Sequence, residues 1–427
     1  MNSEPVSLPG RRWLIGTLLG AGVLVNYFDR INLSVAAPQL QAHFGLGSAE
    51  IGVLFSAFFW SYALLQIPAG LILDRLGVTK VGRWGSFLWF AASAFTACAG
   101  SFGGILVARM MLGAAEAPGF PANAKAVGHW FPRRERSLAT ALFDAAAKAS
   151  SVIGVPLIAL VVVKAGWRWG FAATAVMSLA YFVAFTRLYR DPKADPRLSK
   201  AELDYILAGG GNPEGVSAAR PRAMLGHLLR QRKVWGLSLG FAAYGYAFYL
   251  FLTWLPSYLV QSAHMDILKS ATYAAIPWMC ATVADLLVGG WLIDHLVARG
   301  HDETRVRKTV LLTGMALGMA VIGAVFTTNS MIAIVWISVA LSGLAAAAPV
   351  GWSLPALIAP KGAAGTVGGI MNFANNAMGA VAPIVTGVIV GLTGSFALAF
   401  AVAGVVLLGG MAAFIFLLGR IEPVQEP

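Results

Sequence analysis

The chain has 427 residues, of which 58% are hydrophobic and 12% charged, with a mean hydropathy of +0.72. That balance excludes a water-soluble globular fold and leaves an integral membrane protein. The net charge of +12 does not signal nucleic acid, because the basic residues are spread over short connections and leave no basic domain to dock on a duplex.

A helix needs about 20 apolar residues to cross the hydrocarbon layer. Twelve runs qualify, at 13-37, 50-72, 81-100, 103-127, 137-163, 168-189, 235-260, 270-292, 308-327, 331-358, 364-391 and 395-418. Backbone groups in lipid must be satisfied within the segment, so the runs are read as helices and the protein as all-α. The first run follows Arg11 and Arg12 like a signal sequence, but it is long, carries charges and has no small-residue cleavage site before Asp29. It is expected to stay in the mature protein. Cys98 and Cys280 fall in spans 3 and 8 as small packing residues, and no disulfide is inferred.

Of the 31 Lys and Arg, 24 lie in connections on the side of the termini. Only Lys164, Arg168 and Lys269 lie on the other side, with Arg30, Arg109, Lys125 and Lys148 inside spans. The positive-inside rule then puts both termini in the cytoplasm, and the short loops fit a multi-pass protein of a bacterial inner membrane. The longest connection carries Asp191-Pro192, Asp195-Pro196, Gly209-Gly210-Gly211 and Asn212-Pro213, all breaker signals. It divides a six-helix bundle at 1-189 from a second at 235-427, with a cytoplasmic linker at 190-234. An echo supports the duplication. Gly70, Asp74 and Arg75 follow span 2, and Gly290 and Asp294 stand at the corresponding place after span 8. Duplicated halves around a midplane site are an architecture of secondary transporters.

Inside the spans a few residues invite chemistry. Asp29 and Arg30 are adjacent in span 1, where a charge at mid-bilayer costs roughly 2.5 to 3.5 kcal/mol on insertion scales, so they are read as functional. At 1.5 Å per residue, Asp29 lies about 24 Å along its helix, while Arg109 and Glu116 in span 4 lie about 9 and 20 Å from the other face. Two carboxylates and two guanidiniums at such depths form one titrating cluster. Arginine stays charged and grips a carboxylate bidentately, whereas Asp and Glu can gain and lose a proton. None of the six histidines is mid-span, so the carboxylates are the available proton carriers.

Lys148 sits about 16 Å into span 5, with Asp144 one turn earlier. It is either a second cation for an anionic cargo or a self-paired salt bridge. Asp285 in span 8 is a third titrating group or a hydroxyl acceptor. Lys125 can snorkel to the surface. The spans also hold further hydrogen-bond donors and acceptors. Tyr27, Tyr62 and Gln66 in spans 1 and 2, Trp352 in span 10, and Asn372, Asn375 and Asn376 in span 11 offer them.

Gly70 to Lys80 resembles the loop motif of the major facilitator superfamily. The stretch Asn26 to Ser34, together with Arg109 to Pro121 and Trp130-Phe131-Pro132, resembles the anion:cation symporter family within it. The likeness runs over all twelve spans and is greatest to bacterial sugar-acid carriers of galactonate, hexuronate and glucarate type. It implies twelve helices in two pseudo-symmetric six-helix bundles. It also implies protonation at Asp29 and Glu116, a substrate-carboxylate clamp at Arg30, a partner arginine at Arg109, and substrate contacts at Tyr27, Tyr62, Trp352 and Asn372. Pro349 stands where some of these carriers have a serine contact, and Ala147 where they often have glutamine or threonine.

The expectation is therefore proton-coupled import of a hydroxylated organic anion, an aldonate, hexuronate or aldarate, by alternating access. No cofactor or metal is called for beyond the proton as coupling ion, and lipid is the surrounding partner. A self-contained twelve-helix unit makes a monomer sufficient. One rival is a drug:proton antiporter, disfavoured by the basic residues Arg30, Arg109 and Lys148; another is a non-transporting sensor, disfavoured by the short tail after Arg420. An enzyme is disfavoured because no nucleophile, base and orienter set is visible.

Overall fold

The structure is a computed structural model that describes residues 10–132, 135–211, 221–261, 265–327, 329–360 and 364–424. The side chains at 67, 71, 74, 136–138, 141, 221–224, 294, 298, 356, 364 and 365 also lie outside what it describes. Helix α1 spans Arg11–Phe44 and stops at Gly45, whose φ of 67° is a left-handed C-cap. Helix α2, Ser48–Cys98, has 51 residues. At 1.5 Å per residue that is about twice the thickness of a bilayer, so α2 crosses twice. The reversal is at Gly77, with φ 75° and ψ 167°, a backbone state that a side chain would strain. Spans 2 and 3 are thus joined by a single-residue break within the Gly70 to Lys80 motif.

Span 4 is broken. It forms α3 (Phe102–Glu116) and α4 (Gly119–Trp130), with Ala117 and Pro118 between them. Proline lacks the N–H that would continue the ladder and clashes with the preceding turn. Glu116 is consequently the last residue of α3, beside the interruption. Helices α5 (Arg136–Ala165) and α6 (Trp167–Leu188) follow, joined at Gly166.

The connection at 190-234 is more than turns. Helix α7 (Lys200–Ala208), capped by Ser199, docks on the start of α1, and α8 (Pro221–Leu228) comes next. The fully buried Glu202 accepts from the backbone N–H groups of Arg11 and Arg12 at 3.3 and 3.1 Å and from Arg12 Nη1 at 2.9 Å. An anion on a helix N-terminus satisfies otherwise orphaned donors and complements the dipole. Arg11 pairs with Asp195 at 2.7 Å and Arg12 with Glu135 at 2.7 Å.

The second half comprises α9 (Arg232–Gln261), α10 (Ile267–Ala284), α11 (Ile293–Ala298), α12 (Glu303–Gly318), α13 (Ser330–Ile358), α14 (Ala364–Thr393) and α15 (Ala397–Ala412). Asp285–Leu292 links α10 to α11 as a π-helical stretch, so span 8 is one continuous but locally widened helix. Among the described residues, ten helices are long and apolar enough to cross a membrane by those criteria alone. The two remaining crossings are the second arm of α2, diluted by Arg83, Trp84 and Ser86, and the broken pair α3–α4. The architecture is the all-α fold of twelve membrane crossings.

Helix α1 packs on α5 and α6, and α2 on α3 and α6; α9 packs on α14 and α15, and α13 on α10 and α12. Between these groups α2 meets α14, α5 meets α10, and α1 meets α9. Several of these contacts lie far from the termini: Ser34 donates to the carbonyl of Thr253, Ser56 to that of Ala380 at 2.7 Å, and Phe55 meets Trp254 edge-on at 5.3 Å.

Candidate functional site

Arg30 and Glu116 meet in the interior, with Nε donating to Oε2 at 2.8 Å. The guanidinium carbon lies 4.8 Å from the ring centre of Tyr27, 4.7 Å from Phe58 and 5.0 Å from Tyr62. Three aromatic faces attract a cation without spending its hydrogen-bond donors. Arg30 Nη2 and Glu116 Oε1 are buried with no hydrogen-bond partner. Such buried donors and acceptors are uncommon and call for an explanation.

Asp29 points elsewhere. Its Oδ1 accepts from Ser93 at 2.7 Å and its Oδ2 from Ser178 at 2.8 Å, so the second arm of α2 and α6 hold the carboxylate. Arg109 Nη1 donates to the backbone carbonyl of Asp29 at 3.2 Å, and its ring neighbour is Phe58 at 5.3 Å. The four charges therefore form one cluster, but the Asp29 carboxylate is tied to hydroxyls and Arg109 to main chain. Phe58 lies against both guanidiniums. The approach of α2 to α3 depends on Gly113, where a Cβ would collide with the carbonyl oxygen of Phe58. Ser61 donating to Met110 at 2.6 Å and Trp89 donating to Ala115 at 3.0 Å fasten the same pair of helices.

Facing this cluster, the other half supplies neutral polar groups. Tyr249 OH donates to Asn376 Oδ1 at 3.0 Å, Asn376 Nδ2 donates to Asn372 Oδ1 at 2.9 Å, and Asn372 Nδ2 donates to Gln66 Oε1 at 3.1 Å. The chain runs from α9 through α14 to α2 and joins the halves. Tyr249 also meets Phe59 edge-on at 4.5 Å. Trp352 stands apart, 38% exposed and edge-on to Phe241 at 5.0 Å. Asn375 is buried against Gly245 of α9, and Pro349 packs on Gly289.

Residues 19–383 match the Major Facilitator Superfamily. The chain belongs to that superfamily. It is 40% identical over its whole length to "Uncharacterized transporter YybO" of Bacillus subtilis (strain 168), covering 98% of that protein. It is 33% identical over 97% of its length to the "D-galactonate transporter" of Escherichia coli O6:H1, covering 98% of it. Among solved structures it resembles a D-xylose-proton symporter with a TM-score of 0.71 at 15% identity, covering 96% of this chain and 98% of that one. The protein is a transporter of the major facilitator type, related to sugar-acid transporters and carried in a bacterial membrane.

In the superfamily's loop motif, Gly70 is helical with open space around it and Arg75 is exposed. Lys125 reaches the carbonyl of Leu73 at 3.5 Å, tying α4 to the motif. Gly290 sits in the π-helical stretch. The side chains of Asp74 and Asp294 lie outside the described residues, so their expected gating contacts do too.

Lys148, buried in α5, does more than pair with its own helix. Its Nζ lies 2.8 Å from Asp144 Oδ2 and 2.9 Å from Asp285 Oδ2, the latter at the start of the π-helical stretch across the interface. The i, i+4 spacing made the first contact legible. The second needed the fold, as did Ser93, Ser178, Phe58 and Tyr249, which sequence reasoning missed. A serine or aromatic residue in an apolar span carries no charge signal, so nothing but its helical neighbours could have singled it out.

Proposed function

We propose that the protein imports a hydroxylated organic anion, a sugar acid of the aldonate, hexuronate or aldarate class, together with protons by alternating access. The observation that carries this reading is the half-satisfied Arg30: one donor on Glu116, a second buried and unpartnered, and aromatic faces around the guanidinium. A planar guanidinium with spare donors suits a carboxylate. Protons taken by Glu116 and Asp29 weaken the internal pairing, and Arg30 then grips the cargo carboxylate. Tyr27 and Tyr62, with the amides of Asn372 and Asn376, meet its hydroxyls, and Trp352 borders the path. When the halves rock and the protons leave, Glu116 reclaims Arg30 and the anion departs. Coupling is a competition between an internal and an external carboxylate for one guanidinium.

Proteoliposomes loaded at high pH and supplied with galactonate at low external pH test it. Uphill uptake that collapses with a protonophore supports the reading, and flux indifferent to the pH gradient refutes it.

A further inference from the structure

We propose that Lys148, held between Asp144 of its own helix and Asp285 of the opposite half, is a second anion seat that selects cargo with two carboxylates. The inference rests on the sugar-acid reading of the Arg30 site and narrows it.

The geometry starts from a charge imbalance. One ammonium faces two carboxylates, at 2.8 and 2.9 Å, in a place where all three groups are largely withdrawn from solvent. Asp285 Oδ1 is buried and has no hydrogen-bond partner. Removing charges from water is costly unless each is balanced, so an excess carboxylate is a strained arrangement. Protonation of Asp285 removes the excess charge and loosens its hold on Lys148, and a carboxylate of the cargo can then take its place beside the ammonium. With the cargo seated the ammonium again has two anionic partners, and no bond other than the O–H on Asp285 is made.

The groups facing this seat fit that exchange. Tyr27 of α1, whose ring centre lies 4.8 Å from the Arg30 guanidinium carbon, is also within electrostatic reach of Asp144 and Lys148, so the two seats share a neighbouring phenol. Tyr244 of α9 is within electrostatic reach of Lys148, Asp144 and Asp285. On α13 the stretch meets Ala346 and Pro349, which carry no charge. The π-helical widening beginning at Asp285 supplies a local irregularity of the kind often found at functional positions. The Lys148–Asp285 pair joins α5 to the end of α10, so an exchange of Asp285 for the cargo would also loosen a tie between those helices.

Two acids of the same carbon skeleton test the proposal. Galactarate has a carboxylate at each end, and galactonate has one of them replaced by a hydroxymethyl group. Binding of each to the purified full-length protein is measured by calorimetry at pH 6 and pH 8. Wild type is expected to prefer galactarate by about tenfold or more at pH 6, the worth of a charge-assisted contact, with the preference shrinking at pH 8. Lys148→Gln is expected to bring the ratio of the two affinities near one. Asp285→Asn, which keeps Lys148 but removes the competing charge, is expected to hold the preference at both pH values, and it keeps the test open should Lys148→Gln fail to fold. Equal weakening of both acids in Lys148→Gln, or a preference in Asp285→Asn that still tracks pH, marks the triad as a structural strut and overturns the proposal. Wild-type binding of galactonate with no preference for the diacid overturns this inference alone; binding of neither acid overturns the sugar-acid reading and this inference with it.

Discussion

On the wall formed by α1, α2 and α3, Arg30, Glu116, Asp29 and Arg109 are buried charges with aromatic and hydroxyl neighbours. On the wall formed by α9 and α14, Tyr249, Asn376 and Asn372 make a relay of neutral hydrogen bonds. On the proposed mechanism the difference separates two tasks. Only ionic groups can trade a proton against an anion, so the first wall is suited to coupling. Neutral amides and phenols offer both donors and acceptors without holding a charge of their own, so the second is suited to reading hydroxyls. Gln66 links the two at 3.1 Å from Asn372, so a change on one wall can reach the other through a single contact.

Arg30→Ala tests the ionic wall most severely. It removes the proposed clamp and leaves Glu116 without its partner, and binding of any sugar acid is expected to fall by about a hundredfold or more, as read by calorimetry. Arg30→Lys should recover only part of this, because an ammonium lacks the planar fork; wild-type affinity in that variant shows that bidentate geometry is unimportant. Glu116→Gln comes next. It should abolish uptake driven by a pH gradient while exchange of labelled for unlabelled substrate persists, and full uphill accumulation in this variant would remove Glu116 from the coupling scheme.

Asn376→Ala interrupts the neutral relay between Tyr249 and Asn372. The expected result is an increase in KM of about tenfold, the worth of one or two hydrogen bonds, with the pH dependence of transport unchanged. A changed pH profile would mean that the walls do not divide the tasks as described.

The smallest effect is expected at a control position outside the spans and both walls. Burial tends to raise the pKa of Asp191, but the His129 ring 3.8 Å away, the Thr79 hydroxyl at 3.0 Å and the Tyr189 phenol outweigh it and hold the carboxyl below the ordinary aspartate range. A lowered folded-state pKa contributes stability that is present above the unfolded value and lost as the pH falls through the folded one. Asp191→Asn should therefore lower the melting temperature slightly at pH 7, with the deficit shrinking as the pH drops below the carboxylate range. Substrate affinity should not move.

Much of the site was legible because charges in apolar spans are conspicuous. Asp29, Arg30, Arg109, Glu116 and Lys148 each stand out by the cost of burying them, and the 3.6-residue period paired Lys148 with Asp144. The pairing of Arg30 with Glu116, 86 positions apart, was not legible: depth along two helices put Arg30 level with Arg109 and Glu116 two turns away, and depth does not say which faces meet. The same blindness to facing hid the serines that hold Asp29 and the main-chain destination of Arg109. The connection at 190-234 was read from its breakers. Its docked helix α7 was not, because a nine-residue segment gains its stability from Glu202 and Ile206 being buried on a distant element.

By itself the sequence determined that this is a membrane protein of twelve crossings, since the length and hydropathy of a run decide whether lipid will hold it. It also singled out the charged residues that lipid would not tolerate without a function. Only the tertiary structure decided which of the distant ones touch: Arg30 with Glu116, Asp29 with two serines, and Lys148 with Asp285. Contacts between helices depend on rotation and tilt, and these follow from packing at places such as Gly113 against Phe58 that no linear pattern encodes.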